Sequence, residues 1–141
     1  MNGKPVHFYN QAAVIPYRVT DNGIEILLIT SQSGRRWIVP KGIIEGGMTA
    51  EVSALKEAFE EAGIMGEING PALGSFQYQK WGGTLTVIVF PMKVTEILPD
   101  WQESHFRNRD WVRIDEAKNR IGFENLIPLI DELKRRLLDA H

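Results

Sequence analysis

The chain contains no cysteine. That absence excludes a disulfide framework, a thiolate metal centre and a thiol nucleophile, and it fits a reducing compartment. Long apolar stretches are missing too. The longest, Leu85 to Met92, falls far short of the roughly 20 residues that a bilayer-spanning helix needs. Residues 1–10 hold no apolar core of signal-peptide length, so the cytoplasm is the expected compartment and no membrane partner is expected. Neither sign of charge is in excess. With 16 basic and 18 acidic residues the net charge is −2, which argues against a stable nucleic-acid complex and leaves any polyanion to local basic clusters. Histidine is scarce, and His7, His105 and His141 share no ligand spacing, which marks them as ordinary surface or loop residues. No repeat, low-complexity tract or linker interrupts the 141 residues, so one domain, 1–141, is expected.

The order of elements reads from periodicity and turn chemistry. Gln11 to Val19 and Ile24 to Thr30 are β-rich and flank Thr-Asp-Asn-Gly, a hairpin signal. Arg36 to Val39 is a short apolar strand that Pro40 stops. A glycine-rich turn follows, then a helix with Thr49 as N-cap and Gly63 as terminator, whose inward stripe is expected at Val52, Leu55, Phe59 and Ala62. Ala72 to Lys80 and Thr84 to Thr95 predict a long hairpin around Trp81-Gly82-Gly83. A last strand over Asp110 to Ile114 precedes a short helix capped by Asp115. A terminal helix over Glu124 to Leu138 turns Leu126, Leu129, Ile130, Leu133 and Leu137 inward. Strands, helix, strands, helix make an α/β (α+β) chain, a mixed sheet covered on both faces as an α/β/α sandwich.

Residues 40–64 carry the chemistry. Glu57, Glu60 and Glu61 stand at i, i+3 and i+4 and are expected on one side of the helix. Like charges at these offsets cost roughly 0.2–0.5 kcal/mol per pair, a sign that a bound hard cation reverses. Oxygen-rich clusters without cysteine suit Mg²⁺ or Mn²⁺, with waters and substrate phosphates completing the shell. A solvated acidic face is the ordinary explanation for a bare Glu-x-x-Glu-Glu. Gly42, Gly46, Gly47 and Gly63 at fixed spacing change that balance, because glycine permits backbone shapes and close phosphate approach that other residues hinder. No Lys-Ser/Thr follows Gly47, so the turn is not a P-loop.

Lys41 to Ile64 resembles the Nudix box of the Nudix hydrolases, Gly-x5-Glu-x7-Arg-Glu-U-x-Glu-Glu-x-Gly-U with U apolar. The spacing matches throughout, with Met48 in place of Glu and Lys56 in place of Arg. In the family those two positions brace the loop against the helix, and losing both leaves no partner stranded. Lys56 has two candidate partners instead, Glu60 and Glu45. The resemblance implies hydrolysis of a nucleoside diphosphate linked to another group, or of a related pyrophosphate. It implies Glu57, Glu60, Glu61 and the Lys41 carbonyl as metal ligands and a glutamate, Glu60 first, as the group that activates water. The pattern does not single out the base.

Beyond the box, the segments around Arg36 to Gly42, Gly74 to Phe76, Val94 to Trp101 and Arg107 to Trp111 resemble the diphosphoinositol polyphosphate phosphohydrolases, which also cleave diadenosine polyphosphates. That likeness implies a small polyphosphate substrate contacted by Lys80 and Arg107, with Thr30, Ser31 and Gln32 alongside. Gly42 allows close approach, and Arg35, Arg36, Arg109 and Lys41 are helpers. Tyr9, Asn10 and Gln11 stand where the inositol-phosphate enzymes carry basic residues, which favours a linear dinucleoside polyphosphate that stacks a base on Trp37, Tyr78 or Trp81. Diphosphoinositol phosphates, inorganic polyphosphate, other Nudix substrates such as oxidised nucleotides, nucleotide sugars or RNA 5′ ends, and a silent nucleotide-binding module remain alternatives. Monomer and homodimer are both compatible with the sequence.

Overall fold

The computed structural model describes residues 10–80 and 82–139. His7, Tyr9, Trp81 and His141 therefore lie outside the described residues. Strands β1 (Gln11–Thr20) and β2 (Gly23–Thr30) form the first hairpin, in antiparallel register from Thr20 opposite Gly23 to Tyr17 opposite Ile26. Gly23, at φ 111°, supplies the left-handed turn conformation that side chains resist. Strand β3 is two residues, Trp37–Ile38, and Val39 and Pro40 separate it from β4 (Lys41–Ile43). Helix α1 covers Ala50–Ala62. It is followed by β5 (Ile64–Ile68), β6 (Gly74–Lys80), β7 (Gly83–Ile97) and β8 (Arg109–Arg113), then α2 (Ile114–Arg120), one 3₁₀ turn (Glu124–Leu126) and α3 (Ile127–Asp139).

These eight strands make one mixed sheet in the order β3-β2-β1-β7-β5, with β4 against β1, β6 against β7 and β8 against β2. β1 and β7 run parallel at its centre, and the other strand pairs are antiparallel. Alternation along β1 divides the core. Ala12 and Val14 join Leu27, Ile29, Phe90 and Met92 beneath α1, while Ala13, Ile15 and Tyr17 join Ile26, Leu28, Val87 and Val89 beneath α2 and α3. The result is an α/β/α sandwich.

Several details differ from the sequence expectation. β4 and β5 are strands that periodicity missed. β4 is too short to show a period. In β5 a bulge between Met65 and Gly66 breaks the alternation, and Gly66 admits β7 so closely that a Cβ would lie 2.1 Å from the Lys93 carbonyl oxygen. The stripe expected on α1 is displaced. Ala54, Ala58 and Ala62 face the sheet, with Ser53 and Glu61, whereas Val52 and Phe59 are 50% and 46% exposed. Small side chains let the helix lie close over the sheet, and the larger ones turn toward its edge at Met65 and Met92. Asp115 is not a cap: α2 starts at Ile114 behind Arg113, which makes no side-chain capping bond, and Asp115 accepts from Lys134 Nζ at 2.8 Å. In the last helix Leu126 lies in the 3₁₀ turn, and Pro128 occupies the first turn of α3, where its missing N–H costs nothing.

Candidate active site

The glycine loop and the start of α1 are held by local chemistry. Thr49 Oγ1 accepts from Val52 N at 3.1 Å, and Gly63, at φ 66°, closes the far end by donating its N–H to Phe59 O. Inside the helix the buried Ser53 hydroxyl accepts from Glu45 N at 3.4 Å and donates to the Met48 sulfur at 3.8 Å. Lys56 takes both of its candidate partners, with Nζ 2.7 Å from Glu60 and 3.3 Å from Glu45. A loop-to-helix brace thus persists without the family's Arg–Glu pair.

Glu57 and Glu61 are one turn apart and their carboxylates meet above Lys41 and Gly42. Lys41 N donates to Glu61 Oε1 at 3.2 Å, Arg107 Nη2 approaches Glu61 Oε2 at 3.8 Å, and Glu57 lies over the bare Cα of Gly42. Burial pushes the Glu61 carboxyl up to about 8; Arg107 opposes the rise and Glu57 adds to it. Glu57 is raised as well, by burial and then by Glu60. Glu60 lies near enough to raise Glu57, but its side chain is drawn off the pair. At 3.6 residues per turn it stands about 100° around the helix from Glu61, and its carboxylate pairs with Lys56. Among the described residues no three acidic or histidine side chains form a closed metal cluster. The donor set nevertheless fits a hard divalent cation, since burial and mutual crowding bias both carboxylates toward their protonated forms, a penalty that a bound cation would relieve.

Glu103 is a carboxylate that the sequence reading missed. It lies near enough to raise both Glu57 and Glu61, while accepting from Arg107 Nε at 2.7 Å. Its only sequence signal is the four-residue spacing to Arg107.

Beside Glu61 opens a cavity of about 630 Å³ lined by Ser31, Gln32, Ser33, Arg35, Arg36, Ile38, Lys41, Glu61, Lys80 and Arg107. Five cations surround one carboxylate there. Burial lowers the pKa of the Lys41 ammonium, against the pull of Glu61, and its Nζ lies 5.2 Å from the Tyr78 ring. Arg107 is 7% exposed and its Nη1 donates to Thr30 O at 2.7 Å, so it joins the cavity wall to β2. Thr30 itself is buried behind the wall, accepting from Asn108 N.

Arg109 is elsewhere. Its guanidinium donates to the carbonyls of Ala62, Gly63 and Leu98 and stacks 3.9 Å over Trp101, which ties down the C-terminal end of α1. Of the aromatic candidates, Trp37 is covered by Arg120 at 4.5 Å. Tyr78 packs edge-on to Phe123 at 5.5 Å and donates to Gln11 Oε1 at 2.8 Å.

A glutamate helix entered through a glycine loop, laid over a mixed sheet beside a cationic cleft, defines an α/β/α domain with a loop–helix acidic site. The Nudix domain model matches residues 9–133, and the chain belongs to the Nudix family. It is 36% identical over 127 residues to Nudix hydrolase 21, chloroplastic, of Arabidopsis thaliana, an alignment covering 82% of this chain and 64% of that protein. It is 35% identical over 115 residues to diphosphoinositol polyphosphate phosphohydrolase 3-alpha of Mus musculus, covering 80% of this chain and 69% of the other. A solved C. elegans Ap4A hydrolase binary complex shares the fold at a TM-score of 0.78 and 24% identity, over 94% of this chain and 99% of that one. Among the described residues no helix is long and apolar enough to cross a membrane.

Proposed function

We propose that the chain is a metal-dependent hydrolase of phosphoanhydride bonds in small molecules carrying several phosphates, with diadenosine polyphosphates ahead of diphosphoinositol phosphates. The observation that carries this reading is the meeting of Glu57 and Glu61 above Gly42 at the edge of a cavity ringed by five cations. Mg²⁺ or Mn²⁺ held by Glu57, Glu61 and the Lys41 carbonyl, with Glu60 in reach of its shell, would supply charge neutralisation at the phosphate oxygens. Arg35, Arg36, Lys80 and Arg107 orient the phosphate chain. Water attacks one phosphorus, the anhydride P–O bond breaks toward the leaving phosphate, and a carboxylate takes the water's proton.

The preference for a linear substrate rests on the residues before Ala12. Asn10 accepts from Thr86 N and Gln11 from the Tyr78 hydroxyl, so these positions bring hydrogen bonds to the sheet and no charge to the cavity. Tyr78, half-buried and 5.2 Å from Lys41 Nζ at the cavity, is the aromatic ring proposed to meet a base. Two relatives are named chloroplastic and mitochondrial, and the cytoplasm stands as the proposed compartment for this chain.

Diadenosine tetraphosphate, a diphosphoinositol phosphate, inorganic polyphosphate and nucleoside triphosphates assayed side by side with Mg²⁺ test the reading. Turnover is expected, highest on diadenosine tetraphosphate, abolished by chelation and lowered at least about 100-fold by Glu61→Gln with the fold retained. Tight nucleotide binding without turnover at any metal concentration would identify a silent binding module instead.

A further inference from the structure

The loop that brings Arg35 and Arg36 to the cavity is short and self-contained. Ser31 N donates to Arg36 O at 2.8 Å, Gly34 N to Ser31 O at 2.8 Å, and the Ser31 and Ser33 hydroxyls are 3.1 Å apart. Neither arginine joins an ion pair among the described residues, so both guanidinium groups are available to an anion. A two-residue strand, β3, connects this loop to the sheet on one side only.

Its other side is held by the turn after α2. Gly122 N donates to Trp37 O at 2.8 Å, Ile121 forms a parallel bridge with Trp37, and Arg120 covers the Trp37 ring while binding Asp110 at 2.9 Å. The side chain of Arg36 lies where Gly122 has none. A Cβ on Gly122 would be 3.0 Å from Arg36 Cβ and 3.2 Å from its Cγ and Cδ. The nearest atom is the root of the side chain, so relief requires the Arg36 stem to shift by a few tenths of an ångström and its guanidinium to be re-aimed. Gly122 has no left-handed backbone to lose, because it is not among the glycines at positive φ. A side chain at 122 therefore acts by contact alone, and the atoms it displaces belong to Arg36.

We propose that Gly122 is a positioning residue: its open Cβ position seats the Arg36 stem and aims that guanidinium at the phosphate chain in the cavity. This rests on the proposed polyphosphate reading for its ligand class, and its test does not require turnover. Binding of inorganic tripolyphosphate by calorimetry is compared across wild type, Gly122→Ala, Arg36→Ala and the double variant, with thermal melting as the fold control. The Gly122→Ala change should weaken tripolyphosphate binding about tenfold, the size of one misaligned charge-assisted contact, and should have no further effect once Arg36 is alanine. On any polyphosphate that the protein hydrolyses, KM should rise by a similar factor while kcat stays within about twofold. Equal losses with and without Arg36, or no loss in either, would overturn the assignment. Absence of turnover on every substrate, with the tripolyphosphate cycle obeyed, would remove the enzymatic reading and leave this one standing.

Discussion

Gly42 ties the acidic pair to the glycine loop. A Cβ there would lie 2.3 Å from Glu57 Cδ and 2.6 Å from its Oε2, so any larger residue expels the carboxylate from its place beside Glu61. The obstacle is the end of a flexible side chain, and moving it costs little stability. Gly42→Ala is therefore expected to lower kcat/KM on the order of 100-fold, as loss of a catalytic carboxylate does, while the melting temperature stays near wild type. Full activity in that variant would show that the chemistry does not depend on where Glu57 stands. Glu57 and Glu61 were legible in sequence because four-residue spacing puts two side chains on one face whatever the rest of the fold does. Glu60 was legible as a partner of Lys56 by the same spacing, but which of its two pulls would win, the lysine or the acidic pair, was not. Glu103 was hidden because it approaches from a loop more than forty positions along the chain, and only folding brings it near.

On the scale of elements, α1 separates two demands that sequence periodicity merges. The helix needs small residues toward the sheet and carboxylates toward the loop, which leaves Val52, Leu55 and Phe59 to line a groove at the β5 edge. Ala58→Leu should overfill the space under the helix and destabilise by about 1–3 kcal/mol, whereas Val52→Ser should change stability by no more than about 0.5 kcal/mol. Denaturant titration of both variants decides which stripe is the core. Arg109 poses the parallel question at the other end of the helix. Three carbonyls accept from its guanidinium, so Arg109→Met should cost about 2–3 kcal/mol and leave KM near wild type, the reverse of what a phosphate contact requires. An arginine's sequence position says nothing of whether its partner will be a carbonyl or a phosphate.

Over the whole molecule, a net charge of −2 conceals a strong local asymmetry. Five of the 16 basic residues converge on one cavity with a single carboxylate among its lining residues. Association with a polyanion should therefore be steered, and kcat/KM should fall as added salt screens the cavity, while kcat at saturation changes little. A salt-independent kcat/KM would mean that these cations are spectators.

What the sequence determined alone was short-range: the hairpin turn at Gly23, the caps Thr49 and Gly63, the glycine loop and the pairing of Glu57 with Glu61. Each follows from sterics or periodicity within a few residues, so each was already specified before the chain folded. Tertiary structure decided which face of α1 is buried, that Arg109 braces the helix while Arg107 faces the cavity, and that Gly122 lies against Arg36. Those outcomes depend on distances between segments far apart in the chain, and such distances exist only after packing has brought the segments together.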